Sequence, residues 1–201
     1  PTGTCLILVT PDSERTMCTF LGTAGKINEN DVDINAVKNS KITFLEGYLW
    51  DEGDPKTAFD KAIQNSNRVA MSLSDLFCVE RHKPHFLDLV KNKLDITFAN
   101  EQEIMSLIDA KNFDEVVSFS KDLKKLIVLT RGEKGSIAIK GDEVVECGIQ
   151  KNLKIVDLTG AGDLFAAGFL HGIANNLSTK ESLEKGTDMS SKVIQQIGAR
   201  L

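Results

Sequence analysis

Short apolar runs rich in β-branched residues recur along this chain with helix-patterned segments between them, and that alternation constrains the fold more than any other feature. Cys5 to Thr10 and Thr16 to Gly22 flank the turn-forming triplet Pro11-Asp12-Ser13 and read as a hairpin. Ile42 to Leu45, Val69 to Leu73, Asp95 to Ala99 and Leu126 to Thr130 are each compact enough to be buried strands. Ser136 to Ile139 and Val144 to Cys147 flank Gly141-Asp142 and read as a second hairpin. A polar helix is expected from about Asp31, and another from Pro55 to about Asn67 with Asp54 as its cap. From Gly162 onward the chain is mostly helical, with Ser178 or Thr179 capping a later helix. The pattern implies an α/β fold whose largely parallel sheet is covered by helices.

A chain of 201 residues, 41% hydrophobic and 26% charged, is long enough to bury a core covered on both faces. No repeat, low-complexity tract or linker divides it, so it reads as one domain. The formal charge of -5 and the lack of a basic tract argue against a nucleic-acid partner. Leu164 to Leu170, the longest apolar run, falls far short of the roughly 20 residues that span a bilayer. Cys5, Cys18, Cys78 and Cys147 lie far apart with no CxxC pair, which fits reduced thiols and a cytoplasmic location. The chain opens at Pro1 without a methionine, which leaves a targeting segment open.

The chemistry concentrates in KIVDLTGAGDLFAAG, residues 154–168: a strand end, a glycine-rich turn, then a helix of small and apolar residues. Gly160 and Gly162 let the backbone turn tightly and present bare N–H groups where a helix dipole favours an anion. Asp163 falls in the first helical turn beside them, placed to take a proton from a hydroxyl while the amides hold phosphoryl oxygens. A dinucleotide fingerprint fails because Phe165 stands where GxGxxG needs glycine, and a P-loop fails because Phe20 precedes Gly25-Lys26-Ile27. Taken alone, GAGD is equally an ordinary strand-to-helix turn with Asp163 adding favourable charge. Asn100 to Glu103 taken alone is a capping box, Thr130 to Gly135 a turn into the next hairpin, and Arg15 a solvated arginine. His82 and His85 read as residues of a surface helix, and Tyr48 and Trp50 as core packing at a strand end.

The longer string DLTGAGDLFAAGF resembles the signature of the ribokinase or PfkB family of carbohydrate and nucleoside kinases, usually DTTGAGD, with Leu158 in place of one threonine. The resemblance implies a ribokinase-like α/β fold with a remnant of a β lid over about residues 1–25. It implies ATP-dependent transfer of the γ-phosphate to a primary hydroxyl of a nucleoside or sugar. Asp163 would be the base, and the amides of Gly160, Ala161 and Gly162 the anion hole. Asp157 and Thr159 match positions that in many members help hold a monovalent cation such as K+. Asn100-Glu101-Gln102-Glu103 matches the family's N-x-x-E element, so that Asn100 and Glu103 organise phosphate, water and Mg2+, Glu103 acting on the metal indirectly. Thr130 and Gly132 match its nucleotide-contacting T-x-G-x-x-G element. Arg15 matches the lid arginine that closes on the transferring phosphate in adenosine kinase-like members, and PTGTCLILVTPDSERTM and FLEGYLWD resemble that branch.

The resemblance spans all 201 residues but only the later part of the family pattern, without its GGN-type opening segment. About a third of a typical member is therefore expected before Pro1, and with it most contacts to the acceptor. The chain alone is expected to bind ATP or ADP but to turn over weakly or not at all, because positioning supplies much of phosphoryl-transfer catalysis. Many relatives dimerise through lid strands, so the resemblance allows a homodimer. The competing reading is a non-catalytic nucleotide-binding module or degenerate relative. The acceptor stays open among nucleoside, ribose and hexose phosphate.

Overall fold

The computed structural model describes residues 1–51 and 54–201. Strands β1 (Thr4–Val9) and β2 (Arg15–Phe20) form a separate antiparallel ribbon, with Thr4 opposite Phe20 and Val9 opposite Arg15. Its turn is closed by Thr10 N–H donating to the Glu14 carbonyl at 2.9 Å and by the Thr10 hydroxyl donating to Asp12 at 2.5 Å. The main sheet has six strands in the order β3 (Thr43–Glu46), β4 (Val69–Ser72), β5 (Ile96–Asn100), β6 (Leu126–Thr130), β7 (Ser136–Lys140) and β8 (Glu143–Cys147). From β3 to β6 neighbouring strands are parallel, which requires a crossover between each pair. Helices supply them: α2 (Pro55–Asn65) before β4, α3 (Leu76–Asp88) before β5, and α4 (Glu101–Ile108) with α5 (Phe113–Leu123) before β6. A short α1 (Ile34–Asn39) precedes β3, and α6 (Ala161–Ala174) and α7 (Thr179–Val193) follow β8. Because β4, β5 and β6 are buried on both faces, their sequences run apolar without alternation.

The chain divides into two compact units. The first comprises residues 1–2, 22–130 and 138–144, and its core centres on Met71, Phe86, Ile96, Leu107 and Ile127. Within it α3 is kinked at His82, beside Pro84, whose missing N–H breaks the helical ladder. The second unit comprises residues 3–21, 131–137 and 145–201. Here α6 and α7 approach closely because glycine lines their seam. A Cβ on Gly168 would stand 2.6 Å from the Lys185 carbonyl oxygen, and one on Gly172 would stand 2.9 Å from the Ser182 Cα. Phe165, Phe169 and Leu183 are buried in this unit.

The eight strands expected from the other apolar runs form within a residue or two at their ends, but the strand end expected at Lys154 does not: residues 153–158 have no regular structure and lead into the turn before α6. Helix starts differ more. Asp31 lies in a 3-10 turn, Glu29–Asp31, capped by Asn28, and α1 begins three residues later, where the Asp33 carboxylate takes the N–H groups of Asn35 and Ala36. Asp54 precedes α2 but its side chain makes no cap bond; its ψ of 56° leaves the extended region that capping geometry uses. Ser178 caps α7 through a reciprocal box with Glu181. Among the described residues no helix is long and apolar enough to cross a membrane.

Candidate active site

In the second unit the turn before α6 is built by Asp157. This carboxylate is 1% exposed. Its Oδ1 accepts from the Thr159 N–H at 2.8 Å and the Thr159 hydroxyl at 2.6 Å, while Oδ2 accepts from the Gly198 N–H at 2.9 Å. Burial pushes the Asp157 carboxyl up, but the hydrogen bonds from Thr159 and Gly198, aided by the charge of Arg15, outweigh it and hold the group below the ordinary aspartate value. Gly160 follows with φ +79°, a left-handed conformation that glycine adopts without strain, and serves as the N-cap of α6. The Ala161 N–H donates back to the Leu158 carbonyl at 3.2 Å. Among the described residues, no backbone carbonyl accepts from Gly160, Gly162 or Asp163, as the first turn of a helix leaves its donors unpaired. Gly162 is helical rather than a turn residue, and the space a side chain would occupy there is open. Asp163 is exposed in the first turn.

The same unit holds Arg15, exposed at the start of β2, and Gly132, at the head of a 3-10 turn with φ +56° and open space beside it. Ser13, in the hairpin turn, donates its hydroxyl to the Ile155 carbonyl at 3.2 Å, two residues ahead of Asp157. Gly135 closes the loop after β6: its carbonyl takes the Arg131 N–H at 2.8 Å, and a Cβ on it would stand 2.1 Å from the Cys147 carbonyl oxygen.

The first unit holds Thr130, half-buried at the end of β6, and the Asn100–Glu103 pair at the end of β5. The capping box forms as expected. Asn100 Oδ1 takes the Glu103 N–H at 2.8 Å, while Glu103 accepts the Asn100 backbone N–H at 2.9 Å and its side-chain amide at 2.6 Å. Glu103 is 5% exposed. Burial raises its carboxyl to about 7, the Asn100 N–H opposing and the Asp75 charge adding. A buried carboxylate short of positive partners suits a hard cation. Among the described residues, however, no group of three or more His, Cys, Asp and Glu gathers, so Mg2+ here would draw most ligands from water and phosphate.

Sequence reasoning did not reach several neighbours of these residues. Gly198 meets Asp157 across 41 positions, and Asp75, which caps α3 by taking the Phe77 N–H at 3.2 Å, acts on Glu103 from 28 positions away. Tyr48 is 38% exposed, so it is not a core residue; its ring lies 6.0 Å from that of Phe77, which is 40% exposed, with the Arg81 guanidinium 5.0 Å over the Phe77 face. These residues follow the carboxyl ends of β3 and β4, the edge at which open α/β sheets bind ligands. Beside them the Ser74 hydroxyl donates to Glu46 at 2.9 Å from a residue with φ +71°. Trp50 is half-buried and packs its ring 5.0 Å from Phe59 and 6.0 Å from His85.

The crystal structure of adenosine kinase from Sinorhizobium meliloti superposes with a TM-score of 0.95 at 40% identity, covering 100% of this chain and 63% of that one. Ribokinase from Thermotoga maritima, at 20% identity and a TM-score of 0.79, shares the fold over 99% of this chain and 65% of that one. Adenosine kinase from Saccharomyces cerevisiae is 26% identical over 218 aligned positions, which take in 98% of this chain and 62% of the yeast protein. The chain thus spans a little under two thirds of these relatives, with the ribokinase-like fold expected from its sequence. Its match to the pfkB family of carbohydrate kinases runs over residues 1–201, and the chain belongs to that family.

Proposed function

We propose that this chain is the nucleotide-binding and catalytic portion of an ATP-dependent kinase of a nucleoside or sugar, with Asp163 as the base. The observation that carries the reading is the turn at residues 159–163, where unpaired amides at a helix start and an exposed carboxylate occupy one helical turn. In the reaction, Asp163 accepts the proton of the acceptor hydroxyl, the hydroxyl oxygen bonds to the γ-phosphorus, and the bond to the bridging oxygen breaks to release ADP. The amides of Gly160, Ala161 and Gly162 stabilise the charge on the transferring group, the Ala161 N–H sharing itself with the Leu158 carbonyl. Arg15 adds a guanidinium fork to that charge. Thr130 and Gly132 hold the nucleotide, the open face of Gly132 admitting it closely. Asn100 and Glu103 would hold water and Mg2+, Glu103 indirectly, and the ion would supply neutralisation of the donor's phosphate charge. After three hydrogen bonds Asp157 keeps one of about four lone-pair sites, so K+ bound by Asp157 and Thr159 would take its other ligands from backbone carbonyls.

Adenosine is the leading acceptor. The exposed Tyr48–Phe77 pair, with the Arg81 guanidinium on one Phe77 face, offers aromatic surface for a nucleobase to pack against. Exposed Leu6, Leu8, Met17 and Phe20 on the hairpin suit pairing with a second copy, which light scattering of the wild type against Leu8→Lys would detect as a dimer lost. The competing reading is a nucleotide-binding module without catalysis. In full-length protein Asp163→Asn is expected to lower turnover of adenosine about 1,000-fold while ADP affinity changes less than about threefold. Undiminished turnover in that variant would remove Asp163 from the reaction, and a wild type that binds ADP without turnover would make the chain a binding module.

A further inference from the structure

We infer that Asp157 is a positioning residue, which braces the phosphate-binding turn against the segment Ile194 to Ala199. The inference rests on the reading of the 159–163 turn given above. Three observations carry it. First, the buried Asp157 carboxylate divides its oxygens between two parts of the chain: Oδ1 fixes Thr159, at the entrance to the turn, and Oδ2 fixes Gly198. Second, the backbone repeats that link, because the N–H groups of Val156 and Asp157 both donate to the Ile194 carbonyl, at 2.8 and 3.3 Å. Third, Ala199 fills the place where Gly160 lacks a side chain: a Cβ on Gly160 would stand 2.8 Å from the Ala199 Cβ and 2.9 Å from its Cα.

Gly198 makes the geometry possible. Its φ of +94° is open to glycine and strained for other residues, and it turns the Gly198 N–H toward Asp157. The turn is thereby held from the chain's far end, by Gly198 at Asp157 and by Ala199 at Gly160. All three hydrogen bonds of Asp157 therefore act within a few residues of the donors that would meet the transferring phosphoryl group. Electrostatic stabilisation depends on donors held where charge develops, and a displacement of about 1 Å costs roughly 100-fold in rate. Asp157 touches neither reactant. Its effect passes through Thr159, Gly160 and the helix start.

The test uses full-length protein with Asp157→Ala and Ala199→Gly, reading steady-state kinetics and amide hydrogen exchange. Asp157→Ala is expected to lower kcat about 100-fold with each KM within about threefold, the pattern of a contact made only in the transition state. Exchange should accelerate over residues 157–164 and 194–199 while Phe165 to Phe169 stay protected. Ala199→Gly, which removes one methyl group and folds more readily, should give the same pattern at about 10-fold. A purely structural role predicts a lower Tm with unchanged kcat per folded molecule and uniform exchange; that result in both variants overturns the inference. If Asp163→Asn retains turnover, the catalytic reading fails while the exchange data still decide the brace.

Discussion

Glu103 holds its proton at pH values where an exposed glutamate has lost it, because burial disfavours its charged form. The consequence for stability has a definite sign. The folded-state value of about 7 lies above the ordinary 4.5, so between those limits the folded protein binds more protons than the unfolded chain. The stabilisation is present in full below about pH 4.5 and is lost as pH rises through 7. Glutamine keeps an acceptor for the Asn100 N–H but cannot titrate. Unfolding free energy of the wild type relative to Glu103→Gln should therefore fall by on the order of 3 kcal/mol from pH 4.5 to 8, measured by urea denaturation without metal. A flat difference would place Glu103 in a solvated setting. A divalent cation held near this carboxylate through water favours its charged form, so Mg2+ binding at pH 7 should release protons to the buffer and Glu103→Gln should abolish that release. At this scale the sequence was partly legible. Asn100 and Glu103 announce a capping box by spacing alone, whereas the Asp75 charge that helps raise Glu103 lies beyond any local pattern.

Elements were legible where burial imposes a local signature. The fully buried strands β4, β5 and β6 are apolar runs bounded by polar residues, so their existence and type follow from the chain itself. What spacing cannot supply is contact across the fold. The left-handed Gly160 is suggested by TGAGD, but its packing on Ala199 and the bond from Gly198 to Asp157 join segments about 40 residues apart. Exposure of Tyr48 is hidden in the same way, since a strand end rich in aromatics looks alike in a core and in a binding cleft. The α6–α7 seam gives a test. Alanine at Gly168 gains up to about 1 kcal/mol in helix propensity, but its Cβ meets the Lys185 carbonyl at 2.6 Å, and overpacking against backbone costs about 1–3 kcal/mol. Overpacking wins, so Gly168→Ala should lower the unfolding free energy, whereas Ala167→Ser on the exposed side of α6 should change it by no more than about 0.5 kcal/mol. Equal effects in chemical denaturation would mean that the helices separate at little cost.

For the whole molecule, the candidate residues are distributed over both compact units: Asn100, Glu103 and Thr130 in the first, Arg15, Gly132 and residues 157–163 in the second. Each unit thus carries groups suited to phosphate, while the chain spans 62% of the yeast adenosine kinase it resembles. That distribution separates binding from turnover. On the proposed reading the nucleotide is held by loops of these 201 residues, and a ligand at about 100 times its Kd stabilises the folded state by about 2.7 kcal/mol. The 201-residue chain should therefore show that stabilisation with MgADP in chemical denaturation, with ribose as the inert control. Turnover requires the acceptor hydroxyl to be held in line with the γ-phosphate, and effective molarities lost through loose positioning are large enough to silence the reaction. Adenosine phosphorylation is accordingly expected from the full-length protein and not from these 201 residues alone. Equal rates from both would mean that the acceptor site, Tyr48 and Phe77 included, is already complete within this chain.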